Sequence, residues 1–249
     1  MARPVFAANW KMNHGPHEAR RYFQRFLEQC PTIRDRTVIF FPPTVSLAVA
    51  TFALRNRPEI LVGVQNVHWE ERGAFTGETS AAMARDAGAR MALVGHSERR
   101  QFFGETDEIT ARKCAAAVGA GLTPMLCVGE RLEERERGET EQVVLRQLRT
   151  GIGCLEPSAI TAMMIAYEPV WAIGTGMTAR PEDATAVHGA IRRALHEVIG
   201  SRSIDVPILY GGSVNTGNAE VLLAAAEVDG LLVGGASLDP ETWARIART

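Results

Sequence analysis

The chain has 249 residues, 46% of them hydrophobic, and a formal net charge of −2. That balance gives no reason to expect nucleic acid as a partner, and no apolar run approaches the ~18 residues of a membrane span. Four scattered cysteines without a Cys-x-x-Cys pair indicate neither a zinc site nor a disulfide framework, and Met1–Phe6 lacks the apolar core of a signal peptide. A soluble, reduced, cytoplasmic protein is expected.

Val5 to Trp10 reads as a short strand that reaches polar Asn9 and is followed by Lys11. A helix is expected from about Pro16 to Cys30, with its proline suited to a first turn. Thr37–Phe41 is the second strand, closed by Pro42-Pro43, and Val45–Arg55 the next helix. Ile60–Gln65 is the third strand, leading into a long loop to Gly77 and a helix around Ser80–Ala87. Met91–Val94 is the fourth strand and opens onto Gly95-His96-Ser97-Glu98-Arg99-Arg100. A helix over Glu105–Val118 precedes the fifth strand, Thr123–Val128. Gly129–Gly138 carries Glu–Arg pairs at helical spacing and reads as a solvated face, with helix again over Glu139–Thr150.

The apolar run Thr161–Ile165 begins the sixth strand, which ends at Glu168 because Pro169 cannot extend the ladder. A long helix follows over Pro181–Ile199, then the seventh strand, Val206–Tyr210, closed by Gly211-Gly212-Ser213. The eighth, Asp229–Val233, is closed by Gly234-Gly235, and a last helix covers Pro240–Ala247. Short strands, apolar on both faces and alternating with helices, predict one closed (β/α)8 barrel over residues 1–249. A two-domain doubly wound arrangement is the alternative, but no break in composition marks a boundary.

In a parallel barrel the residues after each strand share one mouth. Asn9 and Lys11 follow the first strand, His96 and Glu98 the fourth, and Glu168 the sixth. Of 27 basic residues only Lys11 and Lys113 are lysine. A compact ammonium fits beside a small substrate where a guanidinium fork does not, so Lys11 is singled out, while Lys113 reads as a solvated helical residue. His96 opens a polar segment that starts a helix, where a neutral ring is favoured and can donate to a substrate oxygen. Glu98 can pair with Lys11. The glycine pairs after the seventh and eighth strands offer backbone N–H groups to an anion, commonly phosphate. Apolar Val170–Ile173 followed by Gly174-Thr175-Gly176 has the composition of a lid. These parts suit proton abstraction beside a carbonyl in a small phosphorylated substrate.

Four segments carry a resemblance: Asn9-Trp10-Lys11-Met12-Asn13, Gly95 to Arg100, Ala166 to Gly176, and Tyr210-Gly211-Gly212-Ser213-Val214. In order, over essentially the whole chain, they resemble the triosephosphate isomerase family. The resemblance implies a TIM barrel that interconverts dihydroxyacetone phosphate and D-glyceraldehyde 3-phosphate through an enediolate, with no metal or organic cofactor. It implies that Glu168 is the base, that neutral His96 polarises the carbonyl, and that Lys11, with Asn9 beside it, stabilises the anion. Backbone N–H groups of Gly174, Ser213, Gly234 and Gly235 would hold the phosphate, with Ser97 and Glu98 in support. Pro169 to Thr178 would be the lid. The loop Gln65 to Gly77 would reach into a second copy, bringing Thr76 to its site and making the protein a homodimer. Met177 and Asp239 depart from the family pattern. Epimerases and synthases on phosphate-binding barrels share the glycines but have no need of Lys11, His96 and Glu168 together, and a non-catalytic barrel would be expected to lack one of them.

Overall fold

Strands that are apolar on both faces must be covered on both, and a parallel sheet closed on itself achieves this. The computed structural model describes residues 3–32, 34–173 and 179–249. Its strands are β1 (Val5–Asn9), β2 (Thr37–Phe41), β3 (Ile60–Val64), β4 (Met91–Val94), β5 (Thr123–Val128), β6 (Met164–Tyr167), β7 (Ile208–Tyr210) and β8 (Gly230–Val233). They pair in parallel in chain order, and β8 returns to β1, so that Val5 stands opposite both Thr37 and Gly230. The helices of the first half are α1 (Pro16–Gln29), α2 (Leu47–Ala53), α3 (Ala81–Asp86), α4 (Ser97–Phe102) and α5 (Asp107–Gly119). Those of the second are α6 (Leu132–Glu136), α7 (Thr140–Ile152), α8 (Pro157–Ala162), α9 (Pro181–Ile199), α10 (Ala219–Leu223) and α11 (Pro240–Ile246). The fold is the (β/α)8 barrel that the alternation predicts.

The two-residue period of the strands sorts their side chains into two cores. Val5, Ala7, Ile39, Phe41, Met91, Leu93, Met125, Cys127, Ala166, Leu209 and Leu232 pack together inside the barrel. Their neighbours, such as Phe6, Phe40, Val62, Leu126, Tyr167 and Leu231, pack outward against the helices. Gly63 makes room within: a Cβ there would lie 2.3 Å from the Phe41 ring. Helix starts follow local chemistry. Pro16 opens α1, where the Gly15 N–H donates to Glu18 Oε2 at 3.2 Å, and Thr106 caps α5 through the Ile109 N–H at 3.2 Å. Asp239, one of the two departures, accepts the Thr242 N–H at 2.8 Å and caps α11 just before Pro240. The acid there has a structural reason.

Several expectations need correction. Thr161 and Ala162 end a helix, α8, and β6 starts only at Met164, because Pro157 nucleates a turn before the strand. Strand β7 is shorter than expected, since residues up to Asp205 form a 3₁₀ turn and Val206 and Pro207 precede the ladder. Helix α10 follows a turn in which the Asn215 and Asn218 side chains accept backbone N–H groups, and it is not anticipated above. Two residues read as solvated are buried: Lys113, 4% exposed, and Glu130, 0%.

Candidate active site

The residues singled out at the strand ends sit around one cavity of about 290 Å³, lined by Asn9, Lys11, His96, Glu168, Ser213, Gly234 and Gly235, with Ile173 and Leu232 as apolar wall. Each is placed by local backbone chemistry. Asn9 ends β1 and its Oδ1 accepts the Lys11 N–H at 3.0 Å, helping Lys11 to hold a φ of 52°. That left-handed conformation is uncommon for a residue with a side chain. Gln65, at the end of β3, fastens the same turn by donating from Nε2 to the Lys11 carbonyl at 2.9 Å and to the Phe41 carbonyl at 2.8 Å. The Lys11 ammonium meets Glu98 Oε1 at 2.6 Å, the expected pairing.

His96 precedes α4 and caps it: the Glu98 N–H donates to Nδ1 at 3.3 Å. An acceptor Nδ1 puts the ring proton on Nε2, which faces Glu168 Oε1 at 2.9 Å. Glu168 Oε2 accepts the Ser97 N–H at 2.9 Å, so the carboxylate, 2% exposed, rests across the start of α4. Burial pulls the His96 pKa down, but the Glu168 carboxylate against it, with Glu98 behind, more than reverses this and holds it above its ordinary value. For Glu168 burial pushes up, and His96, the Ser97 N–H and Lys11 together bring it below the usual range. The expected neutral imidazole is thus favoured by the Glu98 N–H and opposed by the carboxylate parked on it. Which form prevails depends on where Glu168 lies.

Glycines beside Glu168 leave no room for anything larger. A Cβ on Gly129 would lie 1.7 Å from the Glu168 carbonyl oxygen, and one on Gly211 would lie 3.0 Å from its Cγ. Beyond it, the Glu130 carboxylate accepts from Trp171 Nε1 at 2.8 Å and the Tyr167 hydroxyl at 3.2 Å, while its carbonyl accepts the Val170 N–H at 3.1 Å. Arg135 stacks on the Trp171 ring, 4.2 Å from its centroid. These contacts anchor the described start of the lid. Gly174 and Met177 lie outside the described residues. Thr76 sits on the exposed stretch 71–78, away from the cavity of its own chain. No local pattern announces the roles of Gln65, Gly129 and Glu130; the one hint is a glycine directly after β5. Among the described residues no cluster of three or more His, Cys, Asp or Glu side chains could hold a metal ion.

The sequence profile of the triosephosphate isomerase family matches residues 4–249. The chain is 47% identical over 247 residues to the triosephosphate isomerase of Solibacter usitatus, covering 99% of both chains. It is also 47% identical over 249 residues to that of Thermus thermophilus, covering 100% of this chain and 99% of the other. The crystal structure of triosephosphate isomerase from Bartonella henselae superposes with a TM-score of 0.88 at 37% identity, over 98% of this chain and 97% of that one.

Proposed function

The chain belongs to the triosephosphate isomerase family, and we propose that this cavity carries out the family's reaction, the interconversion of dihydroxyacetone phosphate and D-glyceraldehyde 3-phosphate. The observation that carries the reading is the meeting of a carboxylate, an imidazole and an ammonium with the glycine turns after β7 and β8 in one cavity. Backbone N–H groups of Ser213, Gly234 and Gly235, with Gly174 from the lid, hold the phosphate. The triose carbonyl then takes the Nε2–H of His96 that faces Glu168 Oε1 at 2.9 Å.

Glu168, released from His96 and the Ser97 N–H, swings to the substrate carbon. The His96 ring and the Ser97 N–H, which lower its proton affinity most, are left behind, while the apolar wall of Ile173 and Leu232 remains, so the carboxylate becomes a stronger base as it reaches its target. It removes a proton from one carbon, the C–H electron pair becomes the C=C of an enediolate, and the carbonyl oxygen takes the charge. A proton passes from the hydroxyl of the first carbon to that oxygen. Glu168 returns its own proton to the neighbouring carbon as the C=C pair forms the new C–H bond, and the first carbon becomes the carbonyl. With the carboxylate gone, burial and the Glu98 N–H keep His96 neutral, a donor whose help grows with the charge on oxygen. Lys11 faces the same oxygen and the phosphate. The lid from Pro169 to Thr178 shuts out water while the enediolate exists.

We read the chain as one catalytic domain that works as a homodimer in the cytoplasm. Met12, Val45, Phe75 and Phe102 are exposed apolar residues, 95%, 71%, 43% and 69% accessible, on the segments that follow β1, β2, β3 and β4. Adjacent strand ends carrying apolar side chains into solvent support an interface along this rim, with the loop Gln65 to Gly77 reaching across and Thr76 approaching the second copy's site. No described helix is long and apolar enough to cross a membrane.

The test is turnover of D-glyceraldehyde 3-phosphate by the purified protein and by Glu168→Asp. Withdrawing the carboxylate by one methylene is expected to lower kcat by at least ~100-fold while binding of inorganic phosphate is kept. Unchanged turnover in that variant would remove Glu168 as the base.

A further inference from the structure

The turn after β8 is held from behind by groups that do not enter the cavity. Gly234 has φ −88° and ψ −105°, and Gly235–Ser237 form a 3₁₀ turn. The Gly234 carbonyl accepts two hydrogen bonds from one residue, the Ser237 hydroxyl at 2.7 Å and the Ser237 N–H at 2.9 Å. In a planar trans peptide the carbonyl and the following N–H point in opposite directions. Tying the Gly234 oxygen back to Ser237 therefore aims the Gly235 N–H the other way, toward the cavity that Gly235 lines.

Ser237 is itself fastened. Its carbonyl accepts the Tyr22 hydroxyl of α1 at 2.8 Å, and both residues are buried, with exposures of 0% and 3%. Burial raises the Tyr22 pKa, so the phenol stays a donor. The next carbonyl, of Leu238, meets His14 Nε2 at 3.0 Å. On the cavity side a Cβ added at Gly234 would come 3.2 Å from Lys11 Cε, so the turn also forms the wall against which the ammonium's stem lies. Any rotation of the Gly234–Gly235 peptide would misdirect the N–H.

Building on the reading that this turn binds the substrate's phosphate, we propose that Ser237, anchored by Tyr22, is the positioning residue that sets the direction of the Gly235 N–H. Neither side chain touches substrate; each acts through the peptide it holds. The contribution falls on binding of the phosphate, which changes little during proton transfer, and so on KM more than on kcat.

The experiment is calorimetric titration of inorganic phosphate into the wild-type protein, Ser237→Ala and Tyr22→Phe, with steady-state kinetics on the same samples and thermal melts to establish folding. Ser237→Ala is expected to weaken phosphate binding and raise KM by about tenfold, and Tyr22→Phe by about threefold, with kcat within about twofold of wild type. Should Ser237→Ala fail to fold, Tyr22→Phe, which keeps the ring and its packing, decides alone. Wild-type phosphate affinity in the folded variants, or a loss confined to kcat, overturns the role of Ser237. A wild-type protein that turns over substrate but binds no inorganic phosphate overturns instead the placing of the phosphate at this turn.

Discussion

Lys113 lies on α5 with its ammonium against the Glu105 carboxylate and 2.6 Å from Asn66 Oδ1, while Arg99 reaches the same carboxylate. Burial lowers its pKa, and Glu105 works against that by pairing with it. Removing one member of a buried pair leaves the other charge uncompensated. Lys113→Met is therefore expected to cost about 3 kcal/mol, at the low end of such losses because Arg99 still faces Glu105. Urea unfolding at fixed protein concentration measures this. Sequence patterning makes Lys113 a solvated helical residue and Lys11 a strand-end residue; the structure buries the first and places the second in the cavity wall. The difference is physical. Lys11 stands directly after a strand, and topology alone sends strand ends to the mouth. Lys113 sits on a helix, and what buries it are Glu105 and Asn66, whose approach no local pattern announces. Glu130, Gln65, Ser237 and Tyr22 were hidden for a related reason: they act through backbone groups or through partners distant in sequence.

Among the elements, α9 carries the clearest pH dependence. His188 is fully buried on it, with Nδ1 2.8 Å from the Glu227 carbonyl and its ring edge-on to Tyr167 at 5.8 Å. Burial, opposed by that carbonyl, pushes its pKa down from 6.5 to about 4. The folded state thus resists a proton that the unfolded chain accepts. Stability from this group is complete above the unfolded value of 6.5 and is lost as the pH falls toward about 4, by about 3 kcal/mol in all. His188→Gln, which keeps a donor for the Glu227 carbonyl, is expected to flatten the fall between about pH 6.5 and 4.5, seen as the difference between the two proteins' urea midpoints across that range. At this scale the strands are legible in the sequence, because buried parallel strands are short apolar runs between turn residues. Helices α8 and α10, of six and five residues, are not, because such short helices have no room for a periodic pattern.

The molecule as a whole places its proposed chemistry and its apolar rim on the same loops. Met12 is next to Lys11, and Phe102 ends the helix that His96 caps. A surface that keeps these side chains dry also steadies the left-handed turn at Lys11 and the start of α4. Phe75→Asp is accordingly expected to weaken association, seen by gel filtration at falling concentration. The monomer fraction should lose at least ~100-fold in kcat, since small displacements of Lys11 and His96 suffice. The closed barrel has a further consequence. Strand β8 pairs with β1 as any two neighbours pair. Arg36 donates to the Ala247 carbonyl at 3.1 Å, and the Thr37 N–H to the Pro4 carbonyl at 2.9 Å, so both ends of the described chain meet at one turn on the rim away from the cavity. Chain order is thus a matter of synthesis and not of architecture. A circular permutant, its old ends joined by a short linker and new ones opened at Gly121 on that rim, should assemble the same mouth from segments translated in a different sequence.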